Sequence, residues 1–239
     1  MCGRYVLSAP GDFLAELFDL DSVPDLSPRY NIAPTQDAAV VRRERSGGNR
    51  LGELRWGLIP AWADDPAIGN RMINARAESA LEKTAFREAF ARRRCVVPAD
   101  GFYEWRAHRG RKLPYLVRPA DGGVLPLAGL WERWRAPDGE TIDSFTILTR
   151  DAVSDELARL HDRMPVVLPS REVWSRWLDR EAEPEDLREM ILGVSPGELT
   201  IQPVSTRVNS VANDDAGVLE EREEEEGEVE RVPGQRRLF

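Results

Sequence analysis

The second residue of the chain is a cysteine that directly follows the initiator methionine. The small side chain of Cys2 permits removal of Met1, and removal leaves one residue with both a thiol and a free α-amine. Ordinary pKa values of about 8.5 for the thiol and about 7.7–8.0 for the amine give both groups a reactive fraction near neutral pH. Such a 1,2-aminothiol attacks a carbonyl with its own amine as base, or condenses with an aldehyde to an imine that the thiol closes into a thiazolidine.

The alternative for Cys2 is a frayed terminus without a function, since chain ends are often disordered. The residues that follow argue against fraying, because Tyr5, Val6 and Leu7 favour a strand. A strand at this position would hold Cys2 against a sheet.

Glu104 is the carboxylate best placed by the sequence for acid–base chemistry, because it lies among aromatic residues on a predicted strand. Strand alternation puts it on the side of Phe102 and opposite Tyr103 and Trp105. Glutamates are usually solvated. If Phe102 points into the core, however, burial raises the pKa of Glu104 towards the range of a general acid or base.

Three further residues have ordinary structural explanations when each is taken alone. His161 is by default a structural or surface histidine, and Asn74 is a capping or turn residue. Trp62 lies in a Pro-Ala-Trp loop and is by default a core aromatic. Their functional interpretation depends on the wider pattern of motifs.

Composition sets limits on the class of protein. A chain of 239 residues is long enough for one large domain or two small ones, and it contains no apolar run of the roughly 20 residues that span a membrane. The N-terminus does not resemble a signal peptide, so we expect a cytoplasmic protein. With only two cysteines and two histidines, we expect no disulfide framework, no metal site and no cofactor. Cys95 precedes Val96 and Val97 on a predicted buried strand and is expected to be structural.

The charge distribution leaves nucleic-acid binding open despite a net charge of −9. Residues 214–239 hold ten acidic and four basic side chains, a net of −6, so the remainder of the chain carries only −3. Only two of the basic residues are lysines. Arginine is the better phosphate ligand, although this ratio is also typical of genome composition.

Hydrophobic periodicity predicts an α+β fold: a single domain over residues 1–211 with a largely antiparallel β-sheet core and peripheral helices. Helices are predicted over residues 11–20, 79–93, 155–160, 171–178 and 185–192. Strands are predicted over residues 5–7, 38–43, 50–56, 95–98, 101–106, 115–117, 124–130, 145–149, 166–168 and 199–204. Residues 29–36 are interpreted as irregular. The alternation and the glycine motifs of nucleotide-binding folds are absent from the sequence.

Six motifs follow one another along the chain: MCGRY at 1–5, YNIAP at 30–34, WGLIP at 56–60, INARAE at 73–78, GFYEW at 101–105 and HDRMP at 161–165. In this order and spacing they resemble the SRAP (SOS-response-associated peptidase) family, which includes abasic-site processing proteins. The resemblance extends from Cys2 to about Asn209.

The resemblance implies a sensor of abasic sites in single-stranded DNA that protects the lesion through a covalent thiazolidine crosslink. It implies that Cys2 is the nucleophile, that Glu104 shuttles protons, that His161 assists sugar ring opening and crosslink reversal, and that Asn74 holds the amine and the lesion. By the same resemblance, DNA is bound by Arg4, Pro34, Trp62, Arg76, Thr149 and Arg163. A monomer is expected, and lyase activity remains an open alternative.

Two other interpretations use the same residues. In the first, Cys2 is the N-terminal nucleophile of a cysteine peptidase that removes its own Met1, so that the protein is a hydrolase. In the second, the protein is a non-catalytic DNA- or clamp-binding module, which leaves the combination of Cys2, Asn74, Glu104 and His161 unexplained. Aldehyde capture is favoured because it uses both heteroatoms of Cys2.

The C-terminal residues 212–239 are predicted to form a disordered acidic tail. Residues 220–230 contain eight glutamates, too much charge for a packed segment. The chain ends with Gln235, Leu238 and Phe239, which resemble a shortened sliding-clamp-binding motif that lacks its usual second aromatic residue. A clamp is therefore an expected partner, and a solubilising extension is the alternative.

Overall fold

The computed structural model of the protein describes residues 2–223, and this part contains twelve strands, five α-helices and three short 3-10 helices. The strands are β1 (Tyr5–Leu7), β2 (Arg29–Ile32), β3 (Asp37–Arg43), β4 (Asn49–Trp56), β5 (Asn74–Arg76), β6 (Arg94–Ala99), β7 (Gly101–His108), β8 (Arg111–Pro119), β9 (Leu125–Arg135), β10 (Thr141–Asp151), β11 (Arg163–Pro165) and β12 (Leu199–Pro203). The helices are α1 (Gly11–Phe18), α2 (Arg87–Arg92), α3 (Asp155–Leu160), α4 (Arg171–Leu178) and α5 (Pro184–Gly193).

The strands form two sheets. The first has the order β12-β8-β7-β1-β2 and is antiparallel throughout. In the second, β10, β4, β3, β6 and β9 form a closed ring because β9 pairs back to β10, and β5 and β11 extend it from β10. Only the pairings of β10 with β4 and β5 are parallel among the described strands. The predicted fold class is confirmed, with helices packed around a mainly antiparallel core.

Aromatic side chains join the N-terminal strand to the closed ring. The Tyr5 ring meets Trp56 edge-on at a centroid distance of 5.2 Å, and Trp56 stacks on Phe145 at 6.2 Å. Each of these three side chains is fully buried. Such aromatic pairs contribute about 0.5–1.5 kcal/mol each beyond the burial of their surface. The start of the chain is therefore anchored in the core, as the strand-forming residues 5–7 predict.

The helix predicted over residues 79–93 is wrong for most of its length, since only α2 forms at its C-terminal end. Residues 77–86 form a series of turns in which Glu82 N–H donates to Ser79 O and Phe86 N–H to Lys83 O. The Ala77 N–H donates to Thr149 O on β10 at 2.8 Å. Tertiary contacts of this kind override a local preference for helix.

The segment interpreted as irregular contains β2, which pairs with β1 through Tyr5 and Ile32. One carboxylate from the distant end of the chain stabilises it: Asp214 accepts hydrogen bonds from the backbone N–H groups of Tyr30 and Asn31. Local sequence patterns do not predict a strand that depends on a partner about 180 residues away. The strand predicted over 166–168 is also displaced, since β11 ends at Pro165 and Val167 forms only an isolated bridge to Leu127.

The ordered fold extends past residue 211, where the acidic tail was predicted to begin. Asp214 pairs with Arg29, Val218 is fully buried, and Glu221 forms an isolated bridge to Val204. Residues 212–223 therefore belong to the folded body, and the prediction of a disordered segment is wrong for them. The rest of the predicted tail lies outside the described residues.

Among the helices of residues 2–223, none has the length and apolar character needed to cross a membrane.

Candidate active site and nucleic-acid interface

Cys2 lies at the junction of the two sheets and is completely buried. Its Sγ is 4.0 Å from the carbonyl oxygen of Arg4. Burial raises the pKa of the Cys2 thiol far above its ordinary range, and the nearby charge of Glu104 raises it further. The thiol is therefore neutral at physiological pH, and it reacts as a nucleophile only if another group takes its proton.

Asn74 fixes the position of Cys2. As the first residue of β5, it is carried by the parallel pairing of Asn74 with Ile147 on β10. The Asn74 Nδ2 donates a hydrogen bond to the carbonyl oxygen of Cys2 at 2.7 Å. The Asn74 Oδ1 is buried and has no hydrogen-bond partner within residues 2–223. A buried acceptor without a partner is costly, so this atom is available for a donor that the site receives later.

Glu104 lies on β7 beside the start of β1. The Tyr103 N–H donates to the carbonyl of Arg4 at 2.9 Å, which brings Glu104 alongside the residues that precede Arg4. Phe102 packs in the same core cluster as Cys2, whereas Tyr103 packs in a second one, as strand alternation predicts. Glu104 is only 6% exposed, and burial raises its pKa to about 6. This value allows the carboxyl group to give and accept protons near neutral pH.

His161 follows α3, which packs against β7. Burial lowers the pKa of His161 below its ordinary value, so the ring is neutral at pH 7. Its Nδ1 lies 3.0 Å from the backbone N–H of Arg163 and 2.6 Å from an oxygen of Asp162. One nitrogen cannot serve both contacts at once. In the neutral ring Nδ1 accepts from Arg163 and Nε2 carries the proton, and the contact with Asp162 becomes a hydrogen bond when Nδ1 is protonated.

Arg163 is one of the predicted DNA-binding arginines, and in this structure its guanidinium is engaged with protein groups. It forms a two-pronged ion pair with Glu78, at 2.8 and 2.7 Å, and a further ion pair with Asp151 at 2.6 Å. It also donates to the carbonyl of Thr149 at 2.6 Å. The side chain is buried, and the two carboxylates balance its charge. The geometry is that of a residue that holds β10, β11 and the turn after β5 together.

Arg4 also points towards protein groups. Its Nη1 donates to Asn31 Oδ1 at 2.7 Å and to the carbonyl of Val208 at 2.9 Å, and its guanidinium lies 5.7 Å from the centre of the Trp105 ring. Arg4 thus links the start of the chain to residues near the end of the domain. No carboxylate within the described residues pairs with it, so its positive charge remains in the neighbourhood of Cys2.

Arg76 and Trp62 are exposed, in contrast to the two inward-facing arginines. Arg76 ends β5, two residues after Asn74, and forms no ion pair within residues 2–223. Trp62 is 56% exposed in the loop after β4. Pro34 is partly buried in the turn between β2 and β3, next to Thr35, whose N–H donates to Trp56 O. An accessible guanidinium and an accessible aromatic ring are the two components of a surface that binds single strands.

Thr149 is completely buried on β10, opposite Arg76 and Pro165 in the strand register. Its hydroxyl lies 3.4 Å from the carbonyl of Ala75, so it faces protein rather than solvent. The predicted clamp-binding residues Gln235, Leu238 and Phe239 lie outside the described residues.

Three carboxylates around these residues were missed by sequence reasoning. Glu78 and Asp151 neutralise Arg163, and Asp162 contacts His161. Glu78 and Asp162 occur within recognised motifs, directly beside the candidate residues, so a signal was available. Asp151 had none, because its approach to Arg163 depends on the pairing of β10 with β11.

Comparisons with known proteins show which family this chain belongs to. The family model described as SOS response associated peptidase (SRAP) matches residues 1–211. The chain belongs to the SRAP family. The family predicted from the six motifs is confirmed, and its members that follow are similar to this chain over most of its length.

The abasic site processing protein YoaM of Bacillus subtilis is 38% identical over 225 residues, which cover 92% of this chain and 98% of YoaM. The abasic site processing protein HMCES of Gallus gallus is 34% identical over 218 residues, covering 78% of this chain and 64% of HMCES. Relatives named for abasic-site processing thus occur in a bacterium and in an animal.

Solved structures have the same fold. A protein from Bordetella bronchiseptica superposes with a TM-score of 0.72 at 31% identity, covering 85% of this chain and all of that protein. A Bacteroides thetaiotaomicron protein superposes with a TM-score of 0.79 over 92% of this chain and all of its own, and at 23% identity it supports the fold alone.

Proposed function

We propose that this SRAP protein captures abasic sites in single-stranded DNA by a covalent bond to Cys2 after Met1 has been removed. The observation that carries the proposal is the hydrogen bond from Asn74 to the Cys2 carbonyl, which holds the second residue of the chain in the core beside Glu104. An N-terminal residue without a function has no need of such positioning. An abasic deoxyribose is an aldehyde in its open form, and an aldehyde is the natural partner of a 1,2-aminothiol.

The first step is attack of the Cys2 α-amine on the aldehyde carbon, because the buried thiol is neutral and the amine is the readier nucleophile. The attack forms a C–N bond and breaks the π bond of C=O; oxygen takes the proton that nitrogen loses, and the product is a carbinolamine. Asn74 Oδ1 is placed to accept a hydrogen bond from the amine, since its partner Nδ2 already binds the carbonyl of the same residue. Such a contact would orient the amine lone pair towards the aldehyde.

The second step is loss of water. The hydroxyl of the carbinolamine leaves as water when Glu104 gives it a proton, and the nitrogen lone pair forms the C=N bond of a protonated imine. A carboxyl group with a pKa of about 6 is still partly protonated at pH 7 and can act in this way.

Ring closure then uses the thiol. The Glu104 carboxylate produced in the previous step takes the thiol proton as sulfur bonds to the imine carbon, and the π pair of C=N returns to nitrogen, which keeps its proton and becomes neutral. The product is a thiazolidine, and one water is released overall. Glu104 thus gives a proton and later receives one, which leaves it unchanged.

The remaining residues supply binding and reversal. Arg76 and Trp62 are the exposed groups suited to phosphate and base contacts. We assign Pro34 to the same surface, and we assign Arg4, Thr149 and Arg163 to support of the site from within. His161, neutral and one third exposed, is placed to assist ring opening of the sugar and reversal of the crosslink. An abasic residue has no base to read, so recognition should be independent of sequence.

A peptidase mechanism would start with attack by the Cys2 sulfur and so would require a thiolate at the outset. Burial opposes the thiolate at Cys2, and Nδ1 of His161 already accepts from Arg163. The crosslinking mechanism tolerates a neutral thiol because the amine reacts first. The clamp interaction of Gln235, Leu238 and Phe239 is a separate proposal, and a pull-down of the clamp by full-length and truncated protein tests it.

The test is to mix mature protein with single-stranded DNA that carries one abasic site and to measure adducts that resist denaturant. Wild type should give an adduct, and Cys2→Ala should give none without borohydride. Cys2→Ser retains an amine and a hydroxyl, so borohydride should trap its imine, whereas the stable ring should be nearly absent. A wild-type yield of adduct from Cys2→Ala without reductant would refute the mechanism, and turnover of peptide amides would favour the peptidase.

A further inference from the structure

A second basic surface lies away from Cys2. It is a groove with a volume of about 640 Å³, lined by nine arginines with Glu44 as its one carboxylate. The arginines come from β3, β4, β6 and β9, from the turn between β3 and β4, from the end of α2, and from the segments that follow α2 and α4. The whole chain has a net charge of −9, so the positive charge of this groove is opposite in sign to that of the protein as a whole. None of these arginines belongs to the site described above.

The carboxylates near the groove balance only part of this charge. Asp143 is shared by two of its arginines, Arg42 at 3.1 Å and Arg133 at 2.6 Å, and Glu132 pairs with Arg93 at 2.7 Å. Two weaker, exposed pairs use Glu88 and Glu44. Nine guanidinium groups therefore have four carboxylates as ion-pair partners, and a fifth, Asp179, adds its charge near Arg94. Positive charge of this density attracts polyanions.

Arg94 contributes a buried positive charge that backbone carbonyl groups hold in place. It is only 5% exposed, and its guanidinium donates to carbonyl oxygens at the ends of α2 and α4, those of Phe90 and Trp177 among them. No carboxylate within residues 2–223 forms an ion pair with it. Burial lowers the pKa of Arg94 to about 10, so the group stays charged at neutral pH.

The groove continues beyond this cavity. A second cavity of about 580 Å³ shares Arg43, Arg45 and Arg180 with it and extends along α4 to Arg176, which pairs with Asp179. Its lining also includes the carboxylates of Glu44 and Glu172, so its positive charge lies mainly at the shared arginines. Arg45 and Arg180 are exposed and form no ion pair within the described part of the chain. A site of this length and charge fits a chain of phosphates better than a single one.

The groove is distant from the proposed reaction centre. It lies at the Arg43 end of β3, whereas the turn with Pro34 precedes the other end of this strand. Seven residues of strand span about 23 Å at roughly 3.3 Å per residue. The β3 part of the groove therefore lies away from the Pro34 turn, and we expect it to face DNA that flanks the lesion rather than the lesion itself.

We propose that this arginine groove binds the phosphodiester backbone of the DNA that flanks the lesion. The inference rests on the proposed function for the identity of the DNA, although the groove needs no lesion to bind. Arginine contacts phosphate oxygens in pairs and independently of sequence. The groove would lengthen the bound segment and hold the protein on its strand before and after the chemistry at Cys2.

The experiment compares wild type with the double variant Arg45→Ala/Arg180→Ala, in which two exposed side chains are removed. Binding to an undamaged single strand of about 30 nucleotides is measured at several salt concentrations. Loss of two phosphate contacts should weaken binding about ten-fold and reduce the slope of log K against log salt by about 1.4. Binding to a strand of about seven nucleotides and crosslinking to an abasic site in it should be unchanged.

Arg118→Ala, at an exposed position on β8 outside the groove, is the matched control and should leave the salt slope at the wild-type value. Equal slopes for wild type and the double variant on the long strand would overturn the proposal. If a glutamate-rich peptide of residues 220–230 bound wild type but not the double variant, and the long-strand slopes were equal, the groove would be a site for acidic peptide instead. If no adduct formed on any substrate but the salt slopes of wild type and the double variant differed on the long strand, the groove would be supported as a DNA-binding site and the crosslinking function would be refuted.

Discussion

Asn74 donates its side-chain N–H to the main-chain carbonyl of Cys2 at 2.7 Å. This bond joins the start of the chain, held by the β1-containing sheet, to β5 on the closed ring. Since Cys2 is fully buried at this junction, the position of its reactive groups depends on how the two sheets meet. One hydrogen bond and the packing of the two sheets beside it thus hold the reactive groups of Cys2 in the defined position that a covalent reaction requires.

Replacing Asn74 with alanine should slow adduct formation on abasic single-stranded DNA by about 10- to 100-fold, because the amine and thiol of Cys2 lose their fixed position. The loss of folding stability should be small, about 1 kcal/mol for one hydrogen bond. Single-turnover rates and denaturant unfolding measure the two effects. Asn70→Ala, which removes an amide that accepts from Arg55 at the surface, is the control and should react at the normal rate. A rate for Asn74→Ala within about two-fold of wild type would show that the bond does not position the nucleophile.

Two arginines from neighbouring motifs should behave differently when each is replaced by alanine. Arg76→Ala should weaken binding of single-stranded DNA and reduce its salt dependence, with little change in stability, because this side chain is exposed. Arg163→Ala should lower the free energy of unfolding by roughly 1–3 kcal/mol, since it leaves Glu78 and the Thr149 carbonyl without their partner. Anisotropy and urea titrations measure these changes, and an unchanged stability of Arg163→Ala would contradict the structural assignment.

The sequence identifies the family of this protein better than it predicts the orientation of its side chains. Strand alternation correctly predicts that Glu104 shares a side with Phe102, because this property depends only on neighbours. Arg76 is exposed and Arg163 is ion-paired because the strand pairings bring carboxylates near only one of them, and no local pattern predicts this difference. Burial of Cys2 is likewise a tertiary property: Cys2 and Cys95 are equally inaccessible, so exposure does not distinguish the two thiols.

The same limit explains the errors in the fold. The segment 79–86 has the composition of a helix, but Ala77 pairs with β10, and the turns after it accommodate that contact. Residues 212–223 are acidic and poor in apolar groups, yet Asp214 and Val218 supply a carboxylate and an apolar side chain at the required points. One charge that caps a strand stabilises a segment that composition alone would leave unfolded.

His161→Gln should slow reversal of the adduct at least as much as its formation, because the amide cannot exchange a proton. Burial lowers the pKa of His161, so the part of the rate that depends on this residue should be constant above about pH 6.5 and should decline only in more acidic solution. Asp162→Asn removes the charge that favours the protonated ring and should move this decline to still lower pH. Release of DNA from purified adduct, followed between pH 4.5 and 8, tests both variants. If the pH profile of the release rate were the same for Asp162→Asn as for wild type, the group that titrates would not be His161.

Glu104 should reduce the stability of the folded protein at neutral pH. Its pKa is raised from the ordinary 4.5 to about 6 in the folded state, so the folded protein holds a proton that the unfolded chain releases. The stability from this group is fully present below pH 4.5 and is lost as the pH rises through 6. A shift of this size corresponds to about 2 kcal/mol.

Glu104→Gln carries no such proton, so its stability relative to wild type should rise by about 2 kcal/mol between pH 4 and pH 7. Adduct formation should at the same time slow by roughly 10²- to 10⁴-fold through the loss of general catalysis. Urea unfolding at four pH values and single-turnover rates measure the two quantities, with Glu53→Gln at an exposed position of β4 as the control for loss of one carboxylate. A stability difference independent of pH would show that Glu104 ionises as freely in the folded protein as in the unfolded chain, and its role in proton transfer would then lack its physical basis.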